Sequence, residues 1–262
     1  MDNYLNFAKT IALKAGDVML EHFQLGIEIE WKSDNTPVTV ADKAINSMLI
    51  AEVKKAFPGH SILGEEESYM IDGSEYTWVC DPIDGTVPYT IGIPISCFSL
   101  ALVKDQMPVM AVVYDPYMKR LYHAVKNQGA FLNDKKISVS KKADLKSQTV
   151  YASVDGSKSD MIDVSKVRDI FVMDLGVKSP RLYCIVQTCM LIAVGTMDFA
   201  LFPLRTTHDI AAVKIIVEEA GGIVTDIVGN EQRYDQRHIN GAVISNGLLH
   251  EQVLDVVRPH LK

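Results

Sequence analysis

Cysteine is scarce in this chain. Its 262 residues hold only Cys80, Cys97, Cys184 and Cys189, with no Cys-x-x-Cys pair and no neighbouring histidine at zinc spacing. Disulfide frameworks and zinc modules are therefore set aside in favour of buried, reduced thiols. A long apolar run is also missing: nothing approaches the roughly 20 residues that cross a bilayer, so no membrane partner is expected. Dense Lys/Arg runs are absent and the formal net charge is −7, which argues against nucleic acid as a partner. A small anionic substrate stays open, because a bound cation reverses the local field. The opening "MDNYLNFAKT", with Asp2, is not expected to be a signal peptide, and a cytoplasmic location is expected. There is no internal repeat and no low-complexity segment.

What is present suits an enzyme-sized core. Hydrophobic residues make up 48% of the sequence, enough for one large domain or two closely packed halves. Leu5, Ala8, Ile11, Ala12, Ala15, Val18 and Met19 recur at helical spacing, as do Ala44, Ile45, Met48, Leu49, Val53 and Ala56. "IEIEW" alternates like a strand, "SIL" and "YTWVC" read as short strands, and residues 93–131 read as an antiparallel meander broken at "KDQMP" and "DPYMKR". Beyond a basic, polar stretch at 135–148 helix and strand alternate: "CIVQTCMLIAV" as a buried helix, "MDFALF" as a strand, "HDIAAVKIIVEEAGG" as a helix closed by glycines, "GAVISNG" as a strand and "LLHEQVLDVVRP" as a last helix. The expected division is an N-terminal half, 1–140, carrying most of the candidate ligands, and a C-terminal half, 141–262.

The chemistry concentrates in "CDPIDGT", residues 80–86. A strand ending at Asp81, followed by the φ-restricted Pro82, brings Asp84 back beside Asp81. Two carboxylates that close repel, and burial aggravates the repulsion, so a cation must hold them or one must be protonated. Oxygen-only ligands suit Mg²⁺, with Mn²⁺ as a substitute, and the Ile83 carbonyl is a further candidate ligand. If a helix begins at once, with Pro88 in its first turn, the N–H groups of Gly85 and Thr86 form a phosphate cradle. "GEEES" at 64–68 and "HDIAA" at 208–212 add acidic residues at a strand end and a helix start; taken singly the first reads as an exposed acidic turn and the second as Asp209 capping a helix, and together with "DPIDGT" they point to a shared site.

Together, "GEE" at 64–66, "DPIDGT" at 81–86, Asp209 before Ala211-Ala212, and "EEAGG" at 218–222 resemble the inositol monophosphatase family of lithium-sensitive, magnesium-dependent phosphatases. "PVTVADKAIN", "AVVYDP" and "GAFLN" extend the resemblance over nearly the whole chain. It implies a layered α/β fold, the alternating αβαβα sandwich of the inositol monophosphatase and fructose-1,6-bisphosphatase type, with the site between the halves. It implies Glu65, Asp81 and the Ile83 carbonyl around one Mg²⁺ and Asp81, Asp84 and Asp209 around a second. A third, looser ion near Glu65 is implied at the position linked to lithium inhibition. It also implies Thr86, hydrogen-bonded to Asp42, activating the attacking water with Glu65, and Glu66 behind them. A homodimer acting on a small phosphate ester is implied as well. Water acidified by metal would attack phosphorus in line, with no covalent phospho-enzyme.

Five positions depart from the family pattern. His208 stands where tryptophan is usual and either meets the phosphate or leaving group or packs beside the helix start. Tyr183-Cys184 replaces a Gly-Ser or Gly-Thr pair, Phe202 replaces an acidic residue used on a sugar-like ring, and Tyr89 replaces Phe. A lost carboxylate is a lost hydroxyl acceptor, which puts myo-inositol phosphate in doubt. Sugar phosphates such as fructose bisphosphate, histidinol phosphate and nucleotide 3′-phosphates remain open, as does a catalytically silent metal-binding homologue. Lys32 and Arg181 are the basic candidates for substrate phosphate, against ordinary surface charge.

Overall fold

The computed structural model describes residues 1–24, 26–27, 29–31, 37–146, 152–154, 159–204 and 206–262. Lys32 lies outside them. The chain opens with α1 (Asp2–His22), a short ribbon of β1 (Glu30–Trp31) and β2 (Pro37–Val38), and α2 (Val40–Ala56). Of the strand expected over "IEIEW", Glu30–Trp31 forms, both residues exposed, and Glu28 lies outside the described residues. Thr39 starts α2 through a capping box: Asp42 accepts from the Thr39 N–H at 2.8 Å, and Thr39 Oγ1 accepts from the Asp42 N–H.

A seven-stranded sheet follows from β3 (Ser61–Gly64), β4 (Tyr76–Asp84), β5 (Cys97–Lys104), β6 (Met107–Asp115), β7 (Arg120–Val125), β8 (Gly129–Leu132) and β9 (Lys135–Lys136), paired in chain order. One short helix, α3 (Thr86–Thr90), interrupts it after β4. Only β3 and β4 run parallel; the other pairs are antiparallel, and β5 to β8 among them form the meander expected over 93–131. Beyond it come β10 (Ala152–Val154), α4 (Val164–Asp169), α5 (Ile185–Ala193), β11 (Phe199–Phe202), α6 (Ala211–Glu219), β12 (Ile223–Thr225), β13 (Ala242–Ser245) and α7 (His250–Val257). The four later strands form a second sheet in the order β10-β11-β13-β12.

The two-residue period of the central strands sorts the layers. Trp78, Leu100, Leu102, Met110 and Val112 face α1 and α2 in one core cluster. Their neighbours Val79, Ala101, Val103, Ala111 and Val113 face the other way, onto α5, α6 and the second sheet. Phe199, Leu201 and Val243, on the far side of that sheet, pack against α4 and α7. The result is an αβαβα sandwich, as expected. The middle layer explains why α5 is buried on nearly every side, Gln187 and Thr188 included: sheets cover both of its sides. A buried side chain of this size contributes about 1.5–3 kcal/mol, so three such clusters hold the layers in register. Among the described residues no helix is long and apolar enough to cross a membrane.

Candidate metal centre

Three chain segments meet at one end of the sandwich. The parallel register sets Gly64 opposite Cys80, and the Glu65 N–H donates to the Cys80 carbonyl at 3.1 Å. Glu65 therefore lies beside Asp81 although 16 positions separate them in sequence. Gly64 has no room for a side chain: a Cβ there would collide with the Glu67 carbonyl and the Asn46 amide. Asn46 Nδ2 donates to that same carbonyl at 3.0 Å, fixing the acidic turn to α2.

β4 does not stop at Asp81. It continues through Asp84, which pairs with Cys97, and a register shift between Asp81 and Asp84 absorbs the extra residues. This bulge, rather than a turn at a strand end, turns both carboxylates inward. Asp81 Oδ1 accepts from the Ile83 N–H at 3.1 Å. Gly85 then takes φ +83° and starts α3, and Thr86 Oγ1 donates to the Ile83 carbonyl at 3.1 Å. The expected bond between Thr86 and Asp42 is not formed. Asp42 Oδ2 is engaged by Thr39, and its buried Oδ1 has no hydrogen-bond partner. Asp209 does not cap α6 either. That helix starts from Ile210 without a side-chain cap, and Asp209 Oδ2 accepts from Thr206 Oγ1 instead.

The carboxylates converge. One oxygen each from Asp81, Asp84 and Asp209 lie within 4.8 Å of one another, and so do ligand atoms of Glu65, Asp81 and His208. Burial pushes the Asp81 carboxyl well above its usual range, and Glu65, Asp84 and Asp209 push it further. Burial followed by Asp209 raises Asp84 to about 6, against the hydrogen bonds that Cys184, Val186 and Ile185 donate to it. Asp209 is raised by burial, and His208 and Thr206 oppose this. Among the described residues neither Asp81 nor Asp84 pairs with a Lys or Arg side chain. Buried acids that repel one another and have no basic counterion fit divalent cations.

The model of the inositol monophosphatase family matches residues 1–262. The chain belongs to the inositol monophosphatase family. It is 34% identical over 269 aligned positions to the fructose-1,6-bisphosphatase/inositol-1-monophosphatase of Aquifex aeolicus, covering 100% of this chain and 98% of that one. It is 33% identical to the histidinol-phosphatase of Mycobacterium tuberculosis, with 95% and 96% covered. The solved structure of the Thermotoga maritima IMPase superposes with a TM-score of 0.85 at 31% identity, over 99% of this chain and 98% of that chain. Membership makes the chain a phosphoric monoester hydrolase by class, and the family implies use of a divalent metal.

The remaining candidates separate. Glu66 is half-buried beside Glu65 and adds to the charge that raises Asp42 to about 7, burial being the larger cause. The ring of Phe202 is buried in the core at the end of β11 and presents no acceptor. Arg181 is exposed and lines an apolar cavity of about 620 Å³ with Val87, Ile91, Ile93 and Tyr183. Tyr183 sits at φ +56°, a left-handed backbone that costs a non-glycine residue on the order of 1 kcal/mol and that suits the glycine usual there.

Two further supports appear: one rests on Cys184, already singled out as a departure from the family pattern, and the other had no sequence signal. Asp84 is held from the second half of the chain: Cys184 Sγ donates to Oδ2 at 2.6 Å, the Val186 N–H to Oδ2 at 2.8 Å and the Ile185 N–H to Oδ1 at 3.1 Å. A candidate ligand carboxylate thus satisfies the N-terminus of α5, where unpaired N–H groups attract negative charge. Cys97 completes the pocket, its sulfur 4.0 Å from that of Cys184. The second support is Arg237, whose guanidinium donates to the Gly64 carbonyl at 3.4 Å while its own carbonyl accepts from the Thr207 N–H. It ties the Glu65 turn to the Asp209 turn. The cysteine two residues before "VQTC" was a visible signal for the first support; nothing marked the second.

Proposed function

We propose that the chain is a Mg²⁺-dependent phosphomonoesterase acting on a small phosphorylated polyol, sugar or related metabolite. The observation that carries this reading is the convergence of oxygens from the buried Asp81 and Asp84 and the partly buried Asp209 within 4.8 Å. Glu65, Asp81 and the Ile83 carbonyl would hold one cation, and Asp81, Asp84 and Asp209 a second, with a third looser ion near Glu65. Bound there, divalent cations offset the charge on the phosphoryl oxygens and acidify the attacking water. Mn²⁺ would substitute for Mg²⁺.

The chain's own groups do the rest. The Thr86 hydroxyl spends its hydrogen on the Ile83 carbonyl, so its lone pairs are available to accept from a water and turn that water's oxygen toward phosphorus. Glu65, just past the end of β3, would take the water's proton. The N–H groups of Gly85 and Thr86 would meet the phosphoryl oxygens. Asp42 acts one step back, fixing the start of α2 rather than the hydroxyl of Thr86.

On the substrate side, the buried ring at 202 removes the acidic partner for a ring hydroxyl. The relatives are named for fructose-1,6-bisphosphate together with inositol 1-phosphate, for histidinol phosphate and for inositol phosphate alone, which keeps all three ester classes in view. The test is a panel of fructose-1,6-bisphosphate, histidinol phosphate, inositol 1-phosphate and adenosine 3′-phosphate, with and without Mg²⁺, ranked by kcat/KM. Metal-dependent release of phosphate from at least one ester is expected. No turnover of any ester by metal-loaded protein would overturn the reading and leave a silent metal-binding homologue.

A further inference from the structure

His208 stands among the carboxylates without a task that oxygen chemistry gives it. Its side chain is 15% exposed, and its Nε2 lies 3.8 Å from Asp209 Oδ2, beyond hydrogen-bond distance. Among the described residues its ring makes no hydrogen bond. One ring nitrogen nevertheless falls within 4.8 Å of an oxygen of Glu65 and an oxygen of Asp81, which lie within the same spacing of each other. The centre thus contains two ligand groups that share Asp81. One is made of three aspartates, and the other pairs two carboxylates with an imidazole.

We propose that the two cation positions differ in kind, and that His208 supplies a nitrogen ligand to the position at Glu65 and Asp81, making it selective for borderline first-row divalent cations over Mg²⁺. The inference rests on the metal-dependent phosphatase reading above. Mg²⁺ prefers oxygen and gives up water reluctantly, whereas imidazole nitrogen favours Mn²⁺ and, more strongly, the later metals of the row. Charge points the same way. Glu65, Asp81, Asp84 and Asp209 already crowd four acids together, and a neutral imidazole adds a donor atom without a fifth negative charge. The half-buried ring is confined beside the start of α6, so little conformational freedom is lost when it coordinates. The position among Asp81, Asp84 and Asp209 keeps its oxygen-only set and its preference for Mg²⁺.

The experiment uses the full chain, stripped of metal, with less than one equivalent of Mn²⁺ added. Pulsed EPR then reads nitrogen coupling on the bound ion, and calorimetry gives the Kd for Mn²⁺ and for Mg²⁺. Directly coordinated nitrogen is expected in the unaltered chain and is expected to vanish in both His208→Ala and His208→Gln. Both variants should bind Mn²⁺ about tenfold more weakly or worse, since losing even an outer partner of a ligand costs that much. Their Mg²⁺ affinity should change by less than about threefold, because the oxygen-only position is untouched. Bound Mn²⁺ without nitrogen coupling, coupling that survives both variants, or an equal loss of Mn²⁺ and Mg²⁺ affinity would each overturn the proposal. Asp81→Asn separates it from the reading beneath it. If Mn²⁺ binding depends on Asp81 but shows no nitrogen, only the role of His208 fails; if the unaltered chain binds no Mn²⁺, both fail.

Discussion

Asp42→Asn should stabilise the metal-free protein at pH 8, and by an amount that disappears on acidification. The Asp42 carboxyl is raised from 3.8 to about 7, chiefly by burial. At about 1.4 kcal/mol for each tenfold in proton affinity, keeping it ionised in the folded state costs on the order of 4 kcal/mol. Asparagine removes that cost and keeps the local bonds, because one amide oxygen can take the place of Oδ2 and accept from the Thr39 N–H and hydroxyl. The amide nitrogen falls where Oδ1 already has no partner, and leaving those donors unmet costs about 1–3 kcal/mol. The net gain expected at pH 8 is about 1–3 kcal/mol. A folded value raised above the unfolded one penalises the ionised form. The penalty is therefore absent below pH 4, grows between pH 4 and 7 and is complete above 7. Urea midpoints of both proteins in chelator at pH 8 and pH 5 measure the difference. Equal midpoints at pH 8, or a gain that does not shrink at pH 5, would refute the claim that this carboxylate is a buried, uncompensated charge.

Asp84→Asn should abolish turnover while leaving the far-ultraviolet circular dichroism unchanged, because one charge is lost in an otherwise packed pocket; near-normal activity would contradict the shared-cation arrangement. Gly85→Ala should lower the melting temperature and the activity together. It forces a side chain into φ +83°, with its Cβ 3.0 Å from that of Cys184, at about 1–2 kcal/mol for the backbone alone. Metal-free protein should lose thermal stability as pH rises from about 4 to 6 and level off above, because the folded chain holds the Asp84 proton over that interval and the unfolded chain does not, and millimolar Mg²⁺ should restore it; calorimetry across pH with and without Mg²⁺ checks both. Lithium should inhibit turnover at high Mg²⁺ in a steady-state assay if the third, looser ion is present.

The layers were legible because each is written in local periodicity. The pairs Trp78 and Val79, and Leu100 and Ala101, divide the central sheet into two faces, and the meander is punctuated at its turns. The acidic residues were legible because three short motifs carry them. What the sequence did not disclose depends on long-range geometry. The β-bulge between Asp81 and Asp84 is a property of pairing with β5, and the hydroxyl of Thr86 chose a carbonyl three residues away over a carboxylate on α2. The contact from Arg237 to Gly64 spans 173 positions, and the approach of Cys97 to Cys184 spans 87. No local signal encodes such distances. His208 was visible as a departure, with two readings open; its proximity to Glu65 and Asp81 favours the one that faces the chemistry.

In the proposed arrangement the carboxylate of Asp84 answers to two masters: it is offered to a cation on one side and gripped by the start of α5 on the other. Thermodynamic reciprocity makes these one equilibrium. Whatever firms the seating of α5 between its sheets sharpens affinity for the ion, and the ion in turn cements the union of early and late portions of the polypeptide. Mineral supply would then govern cohesion as well as turnover, and a substitution deep in the middle layer, far from any phosphate, would announce itself first as a change in the magnesium requirement.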